Sequence, residues 1–295
     1  MKITFLSNFL NHHQKPVSDS FYRQTEGNYF FCQTEKMPES RKNLGYSDEN
    51  IPEYVLDESN REKQYRAIEK SDVVIAGSAP EELVKKAIQG NKLVFRYAER
   101  PLRKGIEPIK YIPRLIRWNM RNPMTKPVYM LCASAFTALD YSRFFLFKNR
   151  TYKWGYFPAL KKYDDVDALI EKKNKTEILW CGRFLKLKHA DDVVFAASRL
   201  KKEGYDFTLK FIGSGEMEEQ LKTMAEQMEL TDRVQFLGTM DPDKVRENME
   251  KAGIYLFTSD KQEGWGAVLN ESMNSGCAVV ASHLIGSVPF MIKNN

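Results

Sequence analysis

Thr208-Leu209-Lys210-Phe211-Ile212-Gly213-Ser214-Gly215-Glu216 decides the fold class. A short β-branched and aromatic run enters a Gly-Ser-Gly turn, and a helical pattern follows from Glu216 to Met228. The same unit recurs on both sides. Strands are expected at Glu177–Cys181, Val234–Leu237, Ile254–Thr258 and Ala278–Ala281, with helices at Asp191–Lys202, Pro242–Lys251 and about Gly266–Ser275. Earlier in the chain, strands are expected at Lys2–Ser7, Asp72–Gly77, Leu93–Tyr97 and Val128–Ser134. Pro80, read as a first helical position, opens a helix through Gln89 that Gly90 closes. Strands alternating with helices throughout argue for an α/β protein with parallel sheets covered by helices.

A chain of 295 residues suits two domains. The segment Tyr152-Lys153-Trp154-Gly155-Tyr156-Phe157-Pro158, followed by a charged stretch to Lys175, places the boundary near Pro158 and gives domains 1–158 and 159–295. No period of 20–50 residues repeats, which excludes a solenoid. After the strand Ala278–Ala281 comes a loop through Gly286, Val288 and Pro289, and no final helices follow, so the second domain is expected to be incomplete at its C-terminus.

The hydrophobic fraction of 42% supplies enough apolar surface for two cores without covalent staples. No apolar run reaches the roughly 18 residues of a spanning helix, and the N-terminus lacks a signal-type core. The expectation is a soluble, cytoplasmic protein. Cys32, Cys132, Cys181 and Cys277 are widely spaced and read as reduced core thiols, with no zinc spacing.

Charge is unevenly placed. Residues 1–158 hold 26 Lys and Arg against 17 Asp and Glu, so the basic balance belongs to the first domain. Within 96–126, Arg96, Arg100, Arg103, Lys104, Lys110, Arg114, Arg117, Arg121 and Lys126 are accompanied only by Glu99 and Glu107. Ile109-Lys110-Tyr111-Ile112-Pro113-Arg114-Leu115-Ile116-Arg117-Trp118 mixes these cations with aliphatic and aromatic side chains, which suits peripheral contact with an anionic membrane at its inner face. An ordinary solvated helix face accounts for it equally well. No helix-turn-helix, RNP or zinc pattern accompanies the charge, so nucleic acid is not the expected partner.

Three pieces of the second domain could carry chemistry. In Trp180-Cys181-Gly182-Arg183-Phe184-Leu185-Lys186-Leu187-Lys188 a strand ends and presents Arg183 and Lys188 where open α/β sheets bind ligands; two cations there could neutralise a diphosphate. Read alone, the piece is also an ordinary basic loop. Gly213-Ser214-Gly215 allows close backbone approach to a nucleotide, although Glu218 stands where a dinucleotide fingerprint needs Gly or Ala, which weakens an NAD reading. In Glu263-Gly264-Trp265-Gly266-Ala267-Val268-Leu269-Asn270-Glu271, eight helical steps would separate the carboxylates by about 12 Å. That is too far for one catalytic dyad and suits two hydroxyl-rich groups of one ligand. Backbone N–H groups of Gly266, Ala267 and Val268 would open the helix toward phosphates between them.

In order and spacing these pieces, with Val234-Gln235-Phe236-Leu237-Gly238, Ser275-Gly276-Cys277-Ala278-Val279-Val280-Ala281-Ser282 and Ile285-Gly286-Ser287-Val288-Pro289, resemble the retaining glycosyltransferases of family 4, the group 1 glycosyltransferases of GT-B fold. The resemblance implies two Rossmann-like lobes facing a cleft. The first lobe, with a softer likeness to bacterial surface-polysaccharide enzymes, would be the acceptor side. It further implies that Arg183 and Lys188 bind the donor diphosphate, Glu263 holds the transferred sugar and Glu271 the ribose. Gly213 to Gly215 and the backbone around Val234 to Leu237, Phe236 included, would border the base. No metal or other cofactor is implied. The partners would be a nucleoside-diphosphate sugar and a glycan or lipid-linked glycan. The glycine-rich loop common after the first strand of such enzymes is replaced by Asn8-Phe9-Leu10-Asn11-His12-His13-Gln14-Lys15, whose His12 or His13 could touch acceptor or departing phosphate. Because the chain stops early, a catalytically impaired sugar-nucleotide-binding module is the alternative.

Overall fold

The computed structural model describes residues 1–38 and 51–293. The chain divides into two compact units, Met1–Ala159 and Leu160–Asn295. The first contains β1 (Ile3–Ser7), α1 (Lys15–Gln24), β2 (Tyr29–Gln33), β3 (Val55–Leu56), α2 (Arg61–Lys70), β4 (Val73–Ala76), α3 (Glu81–Gln89), β5 (Leu93–Ala98), α4 (Pro108–Arg121), β6 (Val128–Cys132), α5 (Thr137–Ser142) and β7 (Thr151–Lys153). Its seven strands form one sheet in the order β3-β2-β1-β4-β5-β6-β7, every pair parallel. Both faces of this sheet are buried, as parallel sheets require. Phe5, Tyr29, Phe31 and Ile75 fill one side, while Leu6, Val74, Val94 and Met130 fill the other.

The second unit contains α6 (Val166–Glu171), β8 (Asn174–Cys181), a 3-10 turn at Lys186–Lys188, α7 (Ala190–Lys202), β9 (Thr208–Ile212), α8 (Glu218–Gln227) and β10 (Val234–Phe236). These are followed by α9 (Pro242–Lys251), β11 (Ala252–Phe257), α10 (Val268–Asn274), β12 (Ala278–Ala281) and α11 (Val288–Met291). Its five strands are parallel in the order β10-β9-β8-β11-β12. Both sheets therefore have the Rossmann order, running outward from the first strand of the unit in two directions. Among the described residues, no helix is long and apolar enough to cross a membrane.

Several expected boundaries move for local reasons. Pro80 is the N-cap of α3 rather than its first helical residue; its ψ of 133° is extended. α8 begins at Glu218 instead of Glu216, because Glu216 and Met217 form a turn after Gly215 and Met217 is the N-cap. The expected Tyr152–Pro158 connector starts inside a strand, as Thr151–Lys153 pairs with β6. The charged stretch before Lys175 is not featureless either. It holds α6, and its buried Lys173 donates from Nζ to the carbonyls of Met249 (2.8 Å) and Ala252 (2.8 Å), binding the end of α9 to the start of β11. Burial lowers the pKa of this ammonium from the ordinary lysine value.

Candidate active site

In the second sheet the strand order reverses between β8 and β11, and open α/β sheets bind ligands outside the carboxyl ends of their strands at such a point. β8 ends at Cys181 and β11 at Phe257. The loops that follow are bonded together. Thr258 Oγ1 donates to the Lys188 carbonyl (2.7 Å), the Asp260 N–H donates to the Leu187 carbonyl (2.9 Å), and Trp180 Nε1 donates to Thr258 Oγ1 (3.1 Å). These bonds fix the end of the 3-10 turn and aim Lys188 at Glu263, with which it forms an ion pair; the two side chains are 16% and 14% exposed.

Glu263 is held in turn by a tight loop. Its N–H donates to the Asp260 carbonyl (3.1 Å), and Asp260 Oδ1 accepts from the Gln262 N–H (2.7 Å). At Gly266 the chain adopts φ +77°, where a Cβ would fall 2.3 Å from Phe257 Cζ. Only glycine permits that close return. It also changes the expected helix: α10 starts at Val268, with Ala267 as N-cap and Gly266 outside it. Val268 alone of the three expected helix-opening residues is helical.

Glu271 lies on α10 and is largely buried. Its carboxylate has no ion pair or side-chain hydrogen bond among the described residues, and burial raises its pKa above the ordinary range, with Arg246 pulling weakly the other way. Tyr255 on β11 is fully buried, and its hydroxyl donates to the Cys181 carbonyl (3.1 Å). Burial raises the pKa of that phenol, and the charges of both Glu271 and Glu263 add to the effect, so both carboxylates lie within electrostatic reach of one ring. Burial likewise pushes the Cys181 thiol up to about 12, with Glu271 adding and Lys188 opposing. The switch point thus holds the Lys188–Glu263 pair, with Glu271 on the helix that follows the same loop. Arg183 sits at its rim, exposed and without a partner among the described residues.

The Gly-Ser-Gly turn serves the same assembly. A Cβ at Gly213 (φ +136°) would lie 1.9 Å from the Gly182 carbonyl oxygen, and one at Gly215 would lie 2.7 Å from the Phe184 carbonyl oxygen. The Phe184 N–H donates to the Ser214 carbonyl (2.9 Å). These glycines let the loop after β9 press against the loop carrying Arg183. The Phe236 ring stacks on Phe211 (5.1 Å, 8°) inside an aromatic cluster with Phe184, so its side chain packs the core and only its backbone is left for the expected role. His189 lies 3.5 Å from Asp192 and 3.7 Å from Asp260. With Asp191 and Asp192 it forms a group whose ligand atoms lie within 4.8 Å of one another, a type common on exposed acidic surfaces without an ion. Its spacing carried no zinc-like signal.

In the first unit the His12 and His13 rings lie 3.6 Å apart, and His13 stacks on Tyr156 (5.5 Å), whose hydroxyl donates to Glu99 (2.5 Å). This cluster stands beyond the carboxyl ends of β1, β5 and β7, and Tyr156 and Glu99 were not singled out from sequence. The basic segment needs a correction. Arg96 is paired with Glu81 (2.6 Å) and Arg100 with the fully buried Asp140 (3.2 Å), so neither presents free charge outward. Both acids lie outside the window 96–126. A cavity of about 440 Å³ between α5 and the turn before β7 is lined by Leu139, Phe145, Phe147 and other mostly uncharged groups, and holds none of the expected site residues.

Comparison with known proteins fits this geometry. Residues 162–295 match the family described as Glycosyl transferases group 1. Among curated proteins, the amylovoran biosynthesis glycosyltransferase AmsK of Erwinia amylovora is 31% identical over 123 residues, covering 40% of this chain and 30% of that protein. The putative colanic acid biosynthesis glycosyltransferase WcaL of Escherichia coli is 28% identical over 122 residues, covering 40% and 30%. The chain spans about a third of the length of the curated relatives it matches. Among solved structures, the lipopolysaccharide outer core galactosyltransferase WaaB superposes with TM-score 0.67 at 16% identity, covering 100% of this chain and 84% of that one. HepE of Anabaena, solved with UDP and glucose, gives 0.61 at 14%, covering 100% and 83%. Residues 162–295 thus match the group 1 glycosyltransferase family, within a chain that has the two parallel-sheet Rossmann-like lobes of the GT-B fold.

Proposed function

We propose that this protein is a glycosyltransferase that moves a hexose-type sugar from a nucleoside-diphosphate sugar to a hydroxyl of a glycan or lipid-linked glycan, in the cytoplasm, during cell-surface polysaccharide biosynthesis. One observation carries the reading: Lys188 pairs with Glu263 at the β8/β11 switch point of a domain that matches the group 1 family, with Glu271 on the helix that follows the same loop and Arg183 at the rim. HepE, whose structure holds UDP and glucose, and AmsK, named for amylovoran biosynthesis, support the donor class and the biosynthetic setting.

In this reading the bond between the anomeric carbon and the diphosphate oxygen breaks as the acceptor oxygen bonds the same carbon. The acceptor proton passes to the departing phosphate on the same face, so configuration is retained. Lys188 and Arg183 stabilise the charge that grows on the diphosphate, an effect strongest in a site closed to water. Two cations placed there do for the leaving group what a metal does elsewhere, and no metal is part of the proposal. Glu263 turns from Lys188 to a sugar hydroxyl when donor arrives, and Glu271 accepts from the ribose.

Thermal shift with a panel of UDP- and GDP-sugars, followed by a donor-hydrolysis assay, tests this. Stabilisation with turnover is the expected result. Binding without turnover supports the binding-module alternative, and no stabilisation by any member sinks both.

A further inference from the structure

Helix α4 carries three separate faces. Tyr111, Leu115 and Trp118 turn inward: the Tyr111 ring stacks on Phe144 at 5.0 Å, Trp118 lies 4.7 Å from the same ring, and the Tyr111 hydroxyl donates to the Arg143 carbonyl (2.7 Å). At about 100° per residue, Ile109, Ile112, Ile116 and Met120 share a second face, and they are 86%, 57%, 55% and 78% exposed. The stripe is continuous over eleven steps, about 16 Å. Scattered exposed apolar residues need no explanation, whereas a contiguous row of four does. Lys110, Arg114, Arg117 and Arg121 form the third face, beside the stripe, and Arg103 and Lys104 precede the helix.

We infer that α4 lies in the surface of an anionic membrane, with Ile109, Ile112, Ile116 and Met120 among the acyl chains and the neighbouring cations at the headgroups. Charge complementarity selects this occupant. A row of cations beside an apolar stripe matches a negatively charged lipid face, while a second copy of the chain would bring cations to cations. The carboxylates that approach the cations are Glu107, 2.6 Å from Lys110, Glu99, 3.7 Å from Arg103, and Glu81, 3.8 Å from Arg121; the first pair is well exposed, so lipid phosphates displace its acid at little cost. Glu81 keeps its stronger bond to Arg96. The inference is independent of sugar transfer, and its failure would leave the donor site untouched.

The test is flotation of the whole chain with vesicles of phosphatidylcholine alone and of phosphatidylcholine and phosphatidylglycerol in equal parts. The chain is expected to float with the mixed vesicles only, and less so as salt rises. The double variant Ile112→Asp/Ile116→Asp is expected to stay in solution. Neutralising Arg117 as Arg117→Gln should lower the partition coefficient about fivefold. Ile170→Asp on α6, equally an exposed isoleucine, should float like the parent. Unchanged thermal melting separates lost contact from lost fold. Flotation by the double variant overturns the inference, as does absence of flotation by the parent chain. A dimer in sedimentation velocity that the double variant abolishes, without any vesicle binding, would reassign the stripe to a second copy.

Discussion

Lys188 and Glu263, 75 residues apart in sequence, form an ion pair across the switch point of the second sheet. The proposed anchor of the diphosphate is thus neutralised by the proposed anchor of the sugar. Removing one partner leaves the other charge largely buried, a loss on the order of 2 kcal/mol at this exposure. Lys188→Met is therefore expected to be destabilised in urea titration, and Lys188→Met/Glu263→Gln to recover most of that stability. Donor affinity should stay about 10- to 100-fold reduced in both. Equal stability of the single and double variants would show that the pair carries no coupling.

Glu271 offers a second prediction, in pH. Its pKa in the folded chain is raised by burial, so this group favours the folded state below the ordinary glutamate range and that contribution is lost as pH rises through the raised value. At neutral pH the buried charge is a net burden. Glu271→Gln should raise the melting temperature by roughly 2 °C near pH 7, and the difference should shrink as pH falls toward the ordinary glutamate range. The same variant should lose donor binding, as expected where stability is given up for function. A melting temperature lowered at neutral pH would contradict the reading.

The glycines separate strain from space. Gly213→Ala places a Cβ 1.9 Å from the Gly182 carbonyl oxygen, whereas Gly238→Ala, at φ +69°, meets nothing within 4 Å. The first is expected to cost more than about 3 kcal/mol and the second about 1 kcal/mol. Chemical denaturation of both variants distinguishes them.

Arg183 is exposed and free of partners among the described residues. Arg183→Ala should leave the melting temperature within about 1 °C of the parent while weakening donor binding about tenfold or more. Calorimetry with the donor that best stabilises the parent measures it. Unaltered affinity would move Arg183 out of the donor site.

Much of this was legible before folding. The strand-turn-helix units around Gly182, Gly213 and Glu263 were visible because buried parallel strands are continuous apolar runs and their turns need glycine. β2, inside the first sheet, was not, and neither were β3, two residues long at one edge, and β7, three residues including Lys153 at the other. A strand that short at a sheet edge carries no periodicity. Nor could the pattern show that Arg96 and Arg100 are spent on Glu81 and Asp140, because those acids approach from 15 and 40 residues away. The Lys188–Glu263 pair was hidden for the same reason. Each residue was chosen for a ligand, and only the fold reveals that each holds the other.

The short chain of hydrogen bonds from Trp180 through Thr258 to the Lys188 carbonyl reaches beyond positioning. It places an indole two hydrogen bonds from Lys188, the proposed anchor of the diphosphate, while Trp265, buried in the Glu263 loop, donates to Asn270 (2.9 Å) on α10. Two of the chain's four tryptophans therefore stand near the carboxyl ends of β8 and β11. Their ultraviolet emission is expected to report arrival of the proposed donor in real time without a label.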